Sequence, residues 1–175
     1  FKHGKGFVIK AGKSSRRGIN HGRLMRGFCW FAAHSSLYSD RMRIEKPEGE
    51  LRRGWTTGAC AAAATKAAFA ALRTGTFPDP VSIRLPKGET PSFALALEGK
   101  GEGWAQAGII KDAGDDPDVT HGCTVIATVR SRGKGVTFKA GQGVGTVTRA
   151  GLPIAVGEPA INPIPREMMR KIIEE

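Results

Sequence analysis

Residues 52–73 read RRGWTTGACAAAATKAAFAALR, and the fold turns on how this stretch is understood. Arg52 to Gly58 is a turn ending in residues that start helices. Ala59 to Arg73 is alanine-rich enough to predict a strong helix on propensity alone. Its surface is mostly methyl groups, with Phe69 and Leu72 as anchors, so the helix can approach a sheet closely. Gly75 and Pro78 stop it. Beyond it the period changes to two. Val81-Ile83-Leu85 and Phe93-Leu95-Leu97 alternate around Pro86-Lys87-Gly88, the pattern of a hairpin. Trp104 to Ile110 reads as a further strand. Cys123-Val125-Ala127-Val129 and Val136-Phe138 predict a second hairpin around Arg132-Gly133-Lys134-Gly135. A Gly- and Pro-rich run leads to Pro165, and Arg166 to Glu175 reads as helix. One early helix followed by an antiparallel meander predicts an α+β fold, a two-layer sandwich of an antiparallel sheet with the Ala-rich helix. An alternating βαβ protein would have a different order of elements.

The chain has 175 residues, enough for one domain with a real core. Its formal charge of +11 suggests nucleic acid. The distribution argues otherwise, because residues 1–39 hold eight Lys/Arg and no acid, leaving 19 basic against 16 acidic residues in the rest. Residues 1–41 show no sustained periodicity. They are expected to be a basic extension, disordered or not native, that packs little against a domain spanning 42–175. As a nucleic-acid arm this extension lacks interleaved aromatic and basic residues. Cys29, Cys60 and Cys123 form no CxxC pair, which suits a reducing, cytoplasmic setting better than a disulfide framework or zinc site. No apolar run approaches the length needed to span a bilayer.

Chemistry could sit in three places. The first is IIKDAGDDPDVTHG at 109–122, where Asp112, Asp115, Asp116 and Asp118 fall close together with His121 behind them. The spacing does not match a calcium loop, since the glycine is misplaced. Mutual repulsion should raise at least one carboxyl pKa, as an acid/base group requires. The structural alternative is a solvated acidic turn, marked by Gly114 and the Asp116-Pro117 step.

The second is the turn before the helix. Orphan N–H groups, the helix dipole, Thr56, Thr57 and Gly58, with Arg52 and Arg53 nearby, would seat an anion. Simple capping by Thr57 would explain the same residues. The third is Gly141-x-Gly143-x-Gly145 with Arg149, followed by Glu158 and Asn162 among prolines. These glycines run into Thr146-Val147-Thr148 instead of a helix, so a dinucleotide fold is excluded. They would let backbone lie flat on a large ligand or on another strand. Glu158 and Asn162 suit a preorganised site or a rigid connector.

Taken together, RRGWTTGACAAAATKAA at 52–68, IIKDAGDDPDVTHG at 109–122 and GVGTVTRAGLPIAVGEPAINPIPREM at 143–168 resemble the cobalt-precorrin-5B C1-methyltransferases of anaerobic cobalamin biosynthesis. The likeness runs in order from Leu51 to Arg170. It implies methyl transfer from S-adenosylmethionine to C1 of a cobalt-containing, carboxylate-bearing macrocycle. It implies roles in holding that substrate for Arg53, Thr56, Thr57, Gly58, Gly143, Gly145, Arg149, Glu158 and Asn162. Proton balance would fall to Asp112, Asp115, Asp116, Asp118 or His121, and no resident metal is expected. The resemblance implies that the family pattern continues into a second, Rossmann-like α/β domain, which is expected to be missing from these 175 residues. The other reading is a non-catalytic binding protein, holding a metal through the acidic loop or nucleic acid through the basic extension.

Overall fold

The computed structural model describes residues 7–14 and 51–175. Helix α1 (Thr57–Thr74) starts two residues before the predicted helix. Thr56, not Thr57, is its cap, the Thr56 hydroxyl accepting from the Ala59 N–H at 3.1 Å. Gly75, at φ 82°, ends it in the left-handed conformation that costs glycine nothing. Ala62, Ala63, Ala64, Ala67 and Ala68 are all wholly buried. That small-residue surface packs on two strands, β5 (Trp104–Ile110) and β6 (Thr124–Ser131), and on the second helix, α2 (Pro163–Glu174).

Among the described residues the main sheet has five strands in the order β4-β5-β6-β1-β7, where β1 is Phe7–Ser14, β4 is Leu97–Gly101 and β7 is Val136–Ala140. All neighbours are antiparallel except β1 and β7, which run parallel. Ala105, Ala107 and Ile109 of β5 and Val125, Ala127 and Val129 of β6, with Ile9 and Ala11 of β1, face the helices as the core. The mixed α/β architecture with a mainly antiparallel sheet thus agrees with the predicted class.

Three expectations differ in detail. The 81–97 hairpin shrinks to a two-residue ladder, β2 (Val81–Ser82) with β3 (Ser92–Phe93), and Leu97 belongs to a separate strand paired with β5. Strands β6 and β7 were expected to pair with each other. Instead β1 sits between them, and the Arg132–Gly135 connection spans the inserted strand, using positive φ at Gly133 and Gly135. The expectation that residues 1–41 pack little against the body therefore fails for 7–14, where Ile9 is fully buried. The remainder of that extension lies outside the described residues.

Candidate functional site

Cations pair with two of the four aspartates in the acidic loop, Arg52 with Asp112 and Lys111 with Asp118. The Arg52 guanidinium donates to both carboxylate oxygens of Asp112, one contact at 2.9 Å. The Arg52 N–H donates to Asp115 Oδ2 at 2.6 Å, and the Asp115 N–H returns a bond to the Arg52 carbonyl at 3.0 Å. The Trp55 N–H donates to the Asp112 carbonyl at 2.7 Å. This pairing brings two backbones into near contact. A Cβ on Gly54 would lie 1.8 Å from the Ala113 carbonyl carbon, and one on Gly114 would lie 2.1 Å from the Arg52 oxygen. Glycine at both positions is what allows the loop to dock on the segment ahead of α1.

Asp118 is held differently. Lys111, 2 % exposed, reaches it with its ammonium and donates to Thr120 Oγ1 at 2.7 Å. Thr120 in turn donates from its backbone and its hydroxyl to Asp118 Oδ1. An ammonium this deep is tolerable only when paired and hydrogen-bonded. His121 Nδ1 accepts from the Ala113 N–H at 3.1 Å, which places its proton on Nε2 when the ring is neutral.

At Asp112 and Asp118 the carboxyl shift runs downward, opposite to the upward shift expected from mutual repulsion. The hydrogen bond from Arg52 holds the Asp112 carboxyl down at about 2, and hydrogen bonds from Lys111 and Thr120 hold that of Asp118 well below its usual range. Opposite charges outweigh the repulsion among the aspartates. Asp115 and Asp116 are exposed. Among the described residues no three His, Cys, Asp or Glu side chains converge as a metal site would require.

A second feature lies at one end of the sheet. A cavity of about 400 Å³ is lined by Thr57 and Gly58 of α1, by Gly143 and Gly145 of the Gly-rich loop, and by Asn162 ahead of α2. These five are predicted site residues separated by long stretches of sequence. Thr57 and Gly58 contribute N–H groups that the helical ladder cannot use, and two helix N-termini point positive potential here. The acidic loop supports the wall, since the Thr57 and Thr120 hydroxyls share a hydrogen bond at 3.3 Å.

The glycines play unequal parts. A Cβ on Gly58 would meet Pro165 Cγ at 2.6 Å, so this glycine serves helix packing as well as the cavity. Gly143, at φ 73°, and Gly141 lie against the carbonyls of Lys13 and Ala11, which answers the strand alternative raised by their spacing. Gly145 is open, with only Ala160 Cβ at 4.0 Å.

Other candidates are occupied elsewhere. Arg53 pairs with Glu89 and stacks over Trp55 at 5.6 Å. Glu158 accepts from Arg166 at 3.0 Å. Thr56 is spent on its cap, and Arg149 is exposed and away from the cavity lining. Sequence reasoning missed Lys13, Ile161 and Pro165 in the lining. No local signal marks Lys13, because strand β1 joins the cavity only through tertiary pairing.

Among the described residues no helix is long and apolar enough to cross a membrane. The curated relatives include the cobalt-precorrin-5B C(1)-methyltransferases of Brucella anthropi, 68% identical over 130 residues, and Brucella canis, 68% identical over 133. That of Paramagnetospirillum magneticum is 66% identical over 128 residues. The matches cover 73%, 74% and 72% of this chain but only 35%, 36% and 36% of those proteins, so the chain spans about a third of their length. No solved structure matches it significantly. The CbiD family model matches residues 44–175, three-quarters of the chain, and the chain belongs to that family.

Proposed function

We propose that this stretch forms the substrate-side part of a cytoplasmic methyltransferase. The enzyme would transfer a methyl group from S-adenosylmethionine to C1 of cobalt-precorrin-5B, giving cobalt-precorrin-6A, in anaerobic cobalamin biosynthesis. One observation carries the reading: all three family-like segments meet at one place. Residues from 52–68 and 143–168 line the end cavity, while 109–122 braces it through Thr120. A cavity of about 400 Å³ falls near the lower end of the roughly 300–1,000 Å³ range for ligand sites. It suits one limb of the macrocycle, an acetate or propionate arm, better than the whole ring. The arm's carboxylate would meet the Thr57 and Gly58 N–H groups at the positive end of α1.

The cobalt ion belongs to the substrate and needs no protein ligand. S-adenosylmethionine is assigned to none of the described residues. The Gly141–Gly145 run does not open a helix as a strand–turn–helix cofactor seat would. What these residues do is orient the substrate and shield it from water, which makes in-line attack on a methyl group efficient.

The test uses cobyrinic acid, a corrinoid bearing free carboxylates, titrated into the chain and followed by its visible absorption. Gly145→Leu projects into open space, so the melting temperature should hold while affinity falls at least tenfold. Equal affinity in this variant would remove the end cavity from the substrate path.

A further inference from the structure

Among the described residues, the helices cover one face of the five-stranded sheet and nothing packs over the other face. It forms a shallow concavity of about 820 Å³, twice the volume of the end cavity. Its rim and floor carry five cations, Lys10, Lys13, Arg130, Arg132 and Lys139, and among the described residues no Asp or Glu lines it. The register places Lys10 directly beside Lys139 across the parallel β1–β7 pair. Like charges facing one another on a sheet destabilise it, so folding does not account for this pair. Arg130 lies over the Trp104 ring at 5.6 Å, and the Gln106 side chain donates to Thr128 Oγ1 at 2.7 Å, forming a polar floor between apolar Val8 and Ile126. Gly12 and Lys13 line both this concavity and the end cavity, so the two are continuous around the end of β1.

We infer that this open face seats the carboxylate-bearing periphery of the same macrocycle, an inference that rests on the proposed function. The end cavity takes one arm. The flat sheet surface lies under the ring, and the cations meet the remaining arms. Each exposed ion pair is weak alone. Several arms held on one rigid ring bind together, because after the first contact the others form at high effective concentration. Amidated arms have no charge to offer these cations.

Charge reversal separates this role from a structural one. Lys139→Glu puts an acid beside Lys10 and should raise the melting temperature, while affinity for cobyrinic acid falls at least tenfold. Lys10→Gln, which introduces no new ion pair, should weaken cobyrinic acid in the same direction. Binding of cobinamide, whose arms are amides, should be unchanged in both. If both variants bind cobyrinic acid as the parent does while Gly145→Leu still weakens it, the sheet face is not the seat and the end-cavity reading stands. If the parent binds no cobyrinic acid, both readings fall. Tight binding of oligo-dT that cobyrinic acid cannot displace would assign this face to nucleic acid and overturn the inference.

Discussion

Truncating Ile9 to alanine asks whether strand β1 belongs to the folded body. Ile9 is 0 % exposed, on the helix side of the sheet, in register with Val129 of β6 and Phe138 of β7. Ile9→Ala removes three carbons, worth about 2.4 kcal/mol at roughly 0.8 kcal/mol each. The cavity left behind adds to this, because packed neighbours relax only partly, so a loss of about 3–4 kcal/mol is expected. For a chain of this size that corresponds to a fall of roughly 6–16 °C in melting temperature. Urea unfolding followed by tryptophan fluorescence and far-UV circular dichroism measures it. Val8→Ala is the control: Val8 is half-buried on the open face, and its truncation should cost less than about 1 kcal/mol. Matching midpoints for the two variants and the parent would show that β1 is not held in the sheet. The reading of residues 1–41 as a loosely attached extension would then stand.

Two other outcomes follow from ionisation. The Arg52 hydrogen bond lowers Asp112 from 3.8 to about 2 in the folded state, so its contribution is present above about pH 4 and lost as the pH falls towards 2. Asp112→Asn should flatten the stability–pH curve in that window, and an unchanged slope would deny the Arg52–Asp112 pairing. Burial pushes the Cys60 thiol up to about 11 despite nearby Lys111, so it should resist iodoacetamide at neutral pH until the protein unfolds. Rapid alkylation of the native protein would show that the buried side of α1 opens.

Local physics made some elements legible and hid others. Alanine content and the stop at Gly75 mark α1 without any knowledge of its partners. Strand β5 was readable because Ala105, Ala107 and Ile109 all face one layer, leaving Trp104, Gln106 and Ile110 on the other. The relation of β6 to β7 was not, because nothing near residues 124–140 encodes a strand lying more than a hundred residues upstream. That strand disguises itself too. Val8 and Ile9 are consecutive apolar residues that end on opposite faces, and Lys10 follows on the open side, so the run lacks the clean alternation of a half-buried strand. The site divides the same way. Thr57, Gly58, Gly143, Gly145 and Asn162 were visible as residue types suited to helix starts and close backbone approach. Their convergence required the sheet.

The acidic loop shows why counting charges along a sequence misjudges what they do. Four aspartates in seven residues look like strain awaiting a ligand only while their partners are out of view. Arg52 lies on a segment that the loop grips by backbone bonds on both sides of Gly114, so its guanidinium reaches Asp112 because the chains are already docked. Lys111 is the more telling case. A buried ammonium needs a carboxylate and a hydroxyl, and Asp118 and Thr120 supply them within the same loop. Thr120 then touches Thr57, the first residue of α1 and a wall of the cavity. The loop's carboxylates thus position a helix start, and through it one wall of the end cavity. Asp116 differs: it is exposed and makes no side-chain ion pair among the described residues.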